Sequence, residues 1–154
     1  MEVIVKKGIS LVVLIITIIV LAILMSVIIF NTENTMVNAE KSKLQIDIVN
    51  LEALMNTYKL RKNGNIKFET TDFDTSNLSS VELEQFSGEN ITNNKVQLYV
   101  IELEEIDAET VNYGMLKEGN KDRYLYSLDT GKVYYEKGLE IDNITYYHME
   151  NGEG

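Results

Sequence analysis

Residues 6–30 read KKGISLVVLIITIIVLAILMSVIIF, and this stretch decides how the chain is built. Two lysines and a glycine lead into a run, Ile9 to Phe30, that holds no charged side chain. Its polar members are Ser10, Thr17 and Ser26, whose hydroxyls can bond back to the helix's own carbonyls. Roughly 20 apolar residues suffice to cross a hydrocarbon core about 30 Å thick. Residues 9–30 are therefore expected to form a single membrane-crossing helix. Lys6 and Lys7 stand on its N-terminal side, whereas Asn31, Thr32, Glu33 and Asn34 follow it, with no cation before Lys41. The positive-inside rule then predicts a single-pass protein of the cytoplasmic membrane, N-terminus inside and the remainder outside. Val37-Asn38-Ala39 offers a competing small-x-small signal-peptidase site, but the apolar run exceeds a secretory h-region and ends well before Ala39.

Composition bounds the exported part. The chain has 154 residues, no Cys, no Pro, no Trp and one His, with a formal net charge of −10. Residues 1–30 hold Lys6, Lys7 and Glu2, or +1, which leaves −11 on the remainder. That remainder is long enough for one small domain. A surface so acidic repels nucleic acid and anionic headgroups, so no nucleic-acid partner is expected. Without cysteine, no disulfide contributes to the fold.

The segment Lys6-Lys7-Gly8-Ile9-Ser10-Leu11-Val12-Val13-Leu14-Ile15 resembles the N-terminal cleavage and methylation motif of type IV pilins and type II secretion pseudopilins. The wording ISLVVLIITIIVLAIL looks most like pilin-like proteins of Gram-positive anaerobes. The resemblance implies a prepilin peptidase that cuts between Gly8 and Ile9, removing leader residues 1–8 with their basic Lys6 and Lys7, followed by methylation of the new N-terminus at Ile9. It also implies that the helix becomes a filament core, packed against like subunits or other pilins in a cell-surface filament. Ile9 stands where the family most often has Phe, and Val13 where it usually has Glu. That glutamate is thought to pair with a neighbouring subunit's amine, so Val13 removes one assembly device and keeps a second reading open. In that reading the chain is a permanently anchored, uncleaved extracellular binding or accessory domain.

Behind the span, residues 31–62 read as an amphipathic continuation of the helix. Leu44, Ile48, Leu51, Met55 and Tyr58 recur at spacings of four, three, four and three, which places them on one face. Lys41, Lys43, Asp47, Glu52 and Lys59 are assigned mostly to the others. Lys62-Asn63-Gly64 is the stop signal. Residues 63–154 read as a globular head. Within it, Ile66–Phe73 is expected to be extended, Ser79–Glu84 a short Ser-capped helix, Lys95–Leu103 a central strand with apolar residues on both faces, and Ile106–Tyr113 a short helical turn. Arg123–Leu128 and Lys132–Tyr135 flank Asp129-Thr130-Gly131 as a hairpin with a three-residue loop. Leu139–Ile141 and Ile144–Tyr147 flank Asp142-Asn143 as a tighter one. Six of the nine tyrosines fall in these hairpins, with their hydroxyls expected at water. The expected class is α+β: a long N-terminal helix, transmembrane in its first half and amphipathic in its second, packed on a small antiparallel sheet in the pilin manner.

No catalytic set is expected, so the chain is read as a non-enzyme. His148 is the single histidine and has no nucleophile-elbow motif to serve, which makes it a surface or sheet-edge residue. Zinc has too few His and Cys ligands here. For calcium, Asp72 and Asp74 stand at alternate positions in Asp72-Phe73-Asp74-Thr75-Ser76-Asn77, but Asn77 and Leu83 occupy the places of the loop's glycine and closing acid. Glu102, Glu104, Glu105 and Asp107 form a second acidic cluster. Solvated carboxylates are the default for both, and no cofactor is assigned.

Overall fold

A computed structural model describes residues 2–108, 110–114 and 122–150, with side chains described for 10–26, 35–108, 110–114 and 122–150. The protein is α+β: an N-terminal helix and a small antiparallel sheet. Helix α1 spans Glu2–Arg61. It contributes to two compact units, Met1–Ala39 and Glu40–Gly154, so residues 40–61 of the helix belong with the head and the expected amphipathic segment 31–62 is divided between the units. Among the described residues no helix is long and apolar enough to cross a membrane. The described side chains of the apolar run stop at Ser26, short of the roughly 20 residues a span requires.

In the second unit the predicted face of α1 is the buried one. Leu44, Ile48, Leu51, Met55 and Tyr58 are at most 2% exposed. Each such side chain gains roughly 1.5–3 kcal/mol on leaving water, an upper figure because an unfolded chain already shields some of it. The helix stops where Asn63 adopts φ 51° and the Gly64 amide returns to the Lys59 carbonyl at 2.8 Å.

The main sheet has the order β1-β2-β3-β4, formed by Thr70–Asp74, Lys95–Val100, Tyr124–Tyr126 and Val133–Tyr135, each antiparallel to its neighbour. Side chains alternate between its two faces. Tyr99, Tyr124, Tyr126, Val133 and Tyr135 join the core built on α1. Val96, Leu98, Leu125 and Tyr134 join a second core with Phe73 and Phe86. Lys95–Val100 is thus an interior strand with apolar residues on both faces, as expected, but it ends three residues before Leu103, where the chain turns. Helix α2, Ser80–Glu84, is entered through a reciprocal capping box. The Ser79 hydroxyl accepts from the Glu82 amide, and the Glu82 carboxylate accepts from the Ser79 amide at 2.8 Å. A two-stranded sheet, β5 (Leu139–Ile141) with β6 (Ile144–Tyr146), turns through Asp142 and Asn143, whose φ values of 51° and 62° suit a two-residue hairpin.

Four expectations change. The turn assigned to Ile106–Tyr113 lies earlier: Glu105 and Asp107 amides reach the Glu102 and Glu104 carbonyls, the Ala108 amide returns to Leu103, and Asp107 takes φ 59°. Residue 109 lies outside the described residues. The first hairpin loop is Leu128–Gly131, because Ser127 and Lys132 still pair through a 2.9 Å hydrogen bond. Asp47 and Glu52 face the head rather than solvent, Asp47 being only 3% exposed. Tyr124, Tyr134 and Tyr135 of the hairpins send their hydroxyls to the carboxylates of Asp47, Glu89 and Asp122 rather than to water, and the Tyr126 hydroxyl is buried without a hydrogen-bond partner.

Candidate functional site

The first unit offers an unusual surface. From Leu11 to Met25 every Val, Leu, Ile and Met is exposed, between 48% at Val20 and 63% at Met25. Consecutive residues step about 100° around a helix, so these side chains cover its whole circumference. The polar groups within the stretch are internally satisfied. Thr17 Oγ1 donates to the Val13 and Leu14 carbonyls at 2.8 Å, and Ser26 Oγ donates to Ala22 O at 2.9 Å. No hydrogen-bonding side chain there is left seeking water. Gly8 and Ile9, with Lys6 and Lys7, lie in α1 by backbone; their side chains lie outside the described residues.

In the head, carboxylates act as pins. Asp47 projects from α1 between Leu44 and Ile48. It accepts from the Asn112 and Tyr113 amides, from Asn112 Nδ2 and, at 2.5 Å, from Tyr124 Oη. Burial first, and then this carboxylate, pushes the Tyr124 hydroxyl far above its ordinary pKa. Tyr113 Oη donates to Glu40. Glu89 gathers Ser127 Oγ, Thr130 Oγ1 and Tyr134 Oη, which fastens the Leu128–Gly131 loop, and burial followed by Glu89 raises the Tyr134 pKa as strongly.

His148 lies at the sheet edge but is buried, only 6% exposed. Its Nδ1 is 2.9 Å from Val133 O and 3.7 Å from Glu52 Oε1, while Glu52 Oε1 accepts the Val133 amide at 3.0 Å. The Tyr135 amide donates to Tyr147 O. Gln85 holds the same C-terminal segment: Oε1 accepts the Tyr147 and His148 amides, and Nε2 donates to Thr145 O. The imidazole is thus a tether between α1, β4 and the chain's end.

Asp72 and Asp74 lie in strand β1, both exposed, opposite Gln97 and Lys95. Lys95 Nζ is 3.8 Å from Asp72 Oδ2. Hydrogen bonds from Ser76, with Lys95 adding a smaller effect, hold the Asp74 carboxyl below its usual range. Among the described residues no group of three or more His, Asp or Glu is placed to hold a metal ion. Asp72 lines a polar cleft of ≈ 570 Å³ with Asn90, Lys95, Gln97, Tyr99 and Asp129. The second acidic cluster lies on the Leu103–Asp107 turn, where Asp107 meets Arg61 at 3.4 Å.

No family model matches the chain, and no curated protein or solved structure matches it either.

The pins at Asp47, Glu52, Gln85 and Glu89 are absent from the sequence reading. Asp47 had a signal: it follows Leu44 by three residues and so shares the apolar face. The others had none, since their partners lie far along the chain.

Proposed function

We propose that this protein is a pilin-like or pseudopilin structural subunit of a type IV pilus or type II secretion-like filament, inserted in the cytoplasmic membrane before assembly. The observation that carries this is the helical stretch Leu11–Met25, apolar on every side, about half exposed and with its hydroxyls internally bonded. Such a surface is stable only in lipid or against other apolar helices. The Gly8-Ile9 junction behind Lys6-Lys7 supports processing by a prepilin peptidase and methylation at Ile9. The head's acidic surface would face outward, and the role is mechanical rather than catalytic.

Val13 favours a second reading, a permanent anchor for an extracellular accessory domain. A helix without the usual glutamate lacks a buried charge that would demand a partner. Intact mass and N-terminal peptide mass spectrometry on protein from native membranes separates the two. A chain beginning at Ile9, its amine methylated, is expected. A chain retaining Met1–Gly8 would overturn the filament reading in favour of the anchor.

A further inference from the structure

The face of the main sheet that meets α1 is covered only in part. Tyr99, Tyr124, Tyr126, Val133 and Tyr135 pack on the helix side. Lys95 and Gln97 point the same way as Tyr99 along β2, yet both are exposed, as is Asp72 opposite Gln97 on β1. These residues line the polar cleft of ≈ 570 Å³, a volume within the range of small-ligand sites. The Asn90–Asn93 segment and Leu128 with Asp129 complete it.

Both completing segments are held in place. Asn93 and Asn94, φ 52° and 58°, form a two-residue turn closed by paired bonds between Thr92 and Lys95. The Thr75 amide donates to the Asn94 carbonyl at 2.8 Å and ties that turn to the end of β1. Glu89, the neighbour of Asn90, accepts from Ser127 and Thr130 and so joins this segment to the Leu128–Gly131 loop. The polar side chains inside the cleft, by contrast, are largely uncommitted. Among the described residues, the Asn90, Asn93 and Gln97 amides and the Tyr99 hydroxyl make no hydrogen bond within the head, and Lys95 Nζ meets Asp72 Oδ2 only at 3.8 Å.

We propose that this cleft binds a neutral saccharide chain. A sugar hydroxyl both donates and accepts, and a side-chain amide does the same, so one amide can meet two neighbouring hydroxyls. Gln97, Asn90 and Asn93 supply such amides, and Asp72 and Asp129 supply further acceptors. The C–H face of a sugar ring needs an apolar surface, which Leu128, 40% exposed, and the part-buried Tyr99 ring provide. Charge selects against acidic glycans: Asp72 and Asp129 against Lys95 leave −1 in the cleft, within a head of −11. Segments already fixed need little ordering on binding, which favours a ligand whose hydroxyls must first shed water. The cleft lies wholly in the head, so the proposal holds whether or not residues 1–8 are removed.

The test uses the full-length chain in lipid nanodiscs, which keeps sugar-headed detergents out. Maltotetraose, cellotetraose, tetra-N-acetylchitotetraose and the acidic tetragalacturonate are titrated, with binding read by saturation-transfer NMR on the sugar protons. At least one neutral chain is expected to bind with a millimolar or tighter Kd, and tetragalacturonate about tenfold more weakly or worse. Gln97→Ala and Asn90→Ala, both at exposed positions, should each weaken binding about tenfold, roughly the worth of one lost hydrogen bond, while Asn56→Ala on α1 leaves it unchanged. A response to the N-acetylated chain alone supports the site with a cell-wall type of glycan as its ligand; a response to the glucans alone supports it with another polysaccharide. No transfer to any neutral chain at sugar concentrations on the order of 10 mM would overturn the proposal. Binding that both Gln97→Ala and Asn90→Ala leave intact would overturn the assignment to this cleft, and tetragalacturonate binding as tightly as the neutral chains would overturn the selection by charge.

Discussion

Tyr124 donates its hydroxyl to the Asp47 carboxylate at 2.5 Å, joining the middle of the sheet to the helix at a point closed to water. Asp47 also accepts two backbone amides, from Asn112 and Tyr113. Removing the hub should therefore cost more than removing one spoke. Tyr124→Phe is expected to lower stability by about 1–1.5 kcal/mol, the net worth of one hydrogen bond. Asp47→Ala strands the buried Tyr124 hydroxyl and the part-buried Asn112 and Tyr113 amides at once and should cost roughly 3–5 kcal/mol. Urea unfolding of the detergent-solubilised chain, followed by tyrosine fluorescence, checks the ordering; equal losses would mean that the amides find other acceptors.

Acid should loosen the contact between α2 and β6. The Ser79 amide and hydroxyl and the Thr145 amide all bond to Glu82, and these bonds, the Ser79 amide foremost, hold its carboxyl down at about 2 from an ordinary 4.5. A folded pKa below the unfolded one gives stability that is present above 4.5 and lost as pH falls toward 2. Stability measured from pH 6 down to pH 2.5 should decline in the wild type. Glu82→Gln should start lower and decline less over that interval. Partial exposure keeps the difference small.

At the alkaline end the sign reverses. Tyr135 is pushed up to about 12 by burial and by Asp122, and Tyr124 and Tyr134 are raised further. Their folded pKa values exceed the ordinary 10, so the stability they bring is complete below pH 10 and falls as pH climbs above it. Phenolate absorbance at pH 11 should show these three unionised in the folded chain, then rise abruptly when urea unfolds it.

Two glycines of similar backbone conformation should respond differently to alanine. Gly131, φ 76°, has open space where a Cβ would go, so Gly131→Ala should cost only the left-handed strain of about 1–2 kcal/mol. Gly138, φ 74°, would drive that Cβ into Thr145 Cγ2 and place it 2.8 Å from the Tyr147 ring. Gly138→Ala should cost at least ~1 kcal/mol more, since the β5–β6 hairpin must shift. Thermal melts of the two variants side by side give the difference.

If the apolar stretch sits in lipid, a charge at its middle should be resisted. Ile18→Lys is expected to disfavour insertion by roughly 2.5–3.5 kcal/mol. Alkaline carbonate extraction of membranes would show the variant released and the wild type retained.

What the sequence disclosed follows from the range of each interaction. Leu44 through Tyr58 were legible because helical spacing is local, and so were the Asp142-Asn143 turn and the Ser79 cap. Asp47 was misplaced because charge was weighed above position, although its spacing from Leu44 put it on the buried face. Glu89 could not be read at all: Ser127, Thr130 and Tyr134 meet it only after the sheet has formed. The inward turn of the Tyr124 and Tyr134 hydroxyls follows from these same carboxylates. Of the candidate site, the apolar side chains from Leu11 to Met25 and the back-bonding of Thr17 and Ser26 were legible, whereas the carboxylate pins emerge only once distant parts of the chain meet the helix.

The tether at the end of the chain closes off a mode of association. Glu52 takes the Val133 amide, His148 engages the Val133 carbonyl, and Tyr147 takes the Tyr135 amide, so β4 offers these backbone groups to no incoming strand. The opposite edge, β1, presents the exposed acids Asp72 and Asp74, which discourage an added strand by charge. A main sheet edged in this way resists growth by strand donation. Any partner of the main sheet is then met by side-chain surfaces, a contact that can be made and released without unravelling the fold.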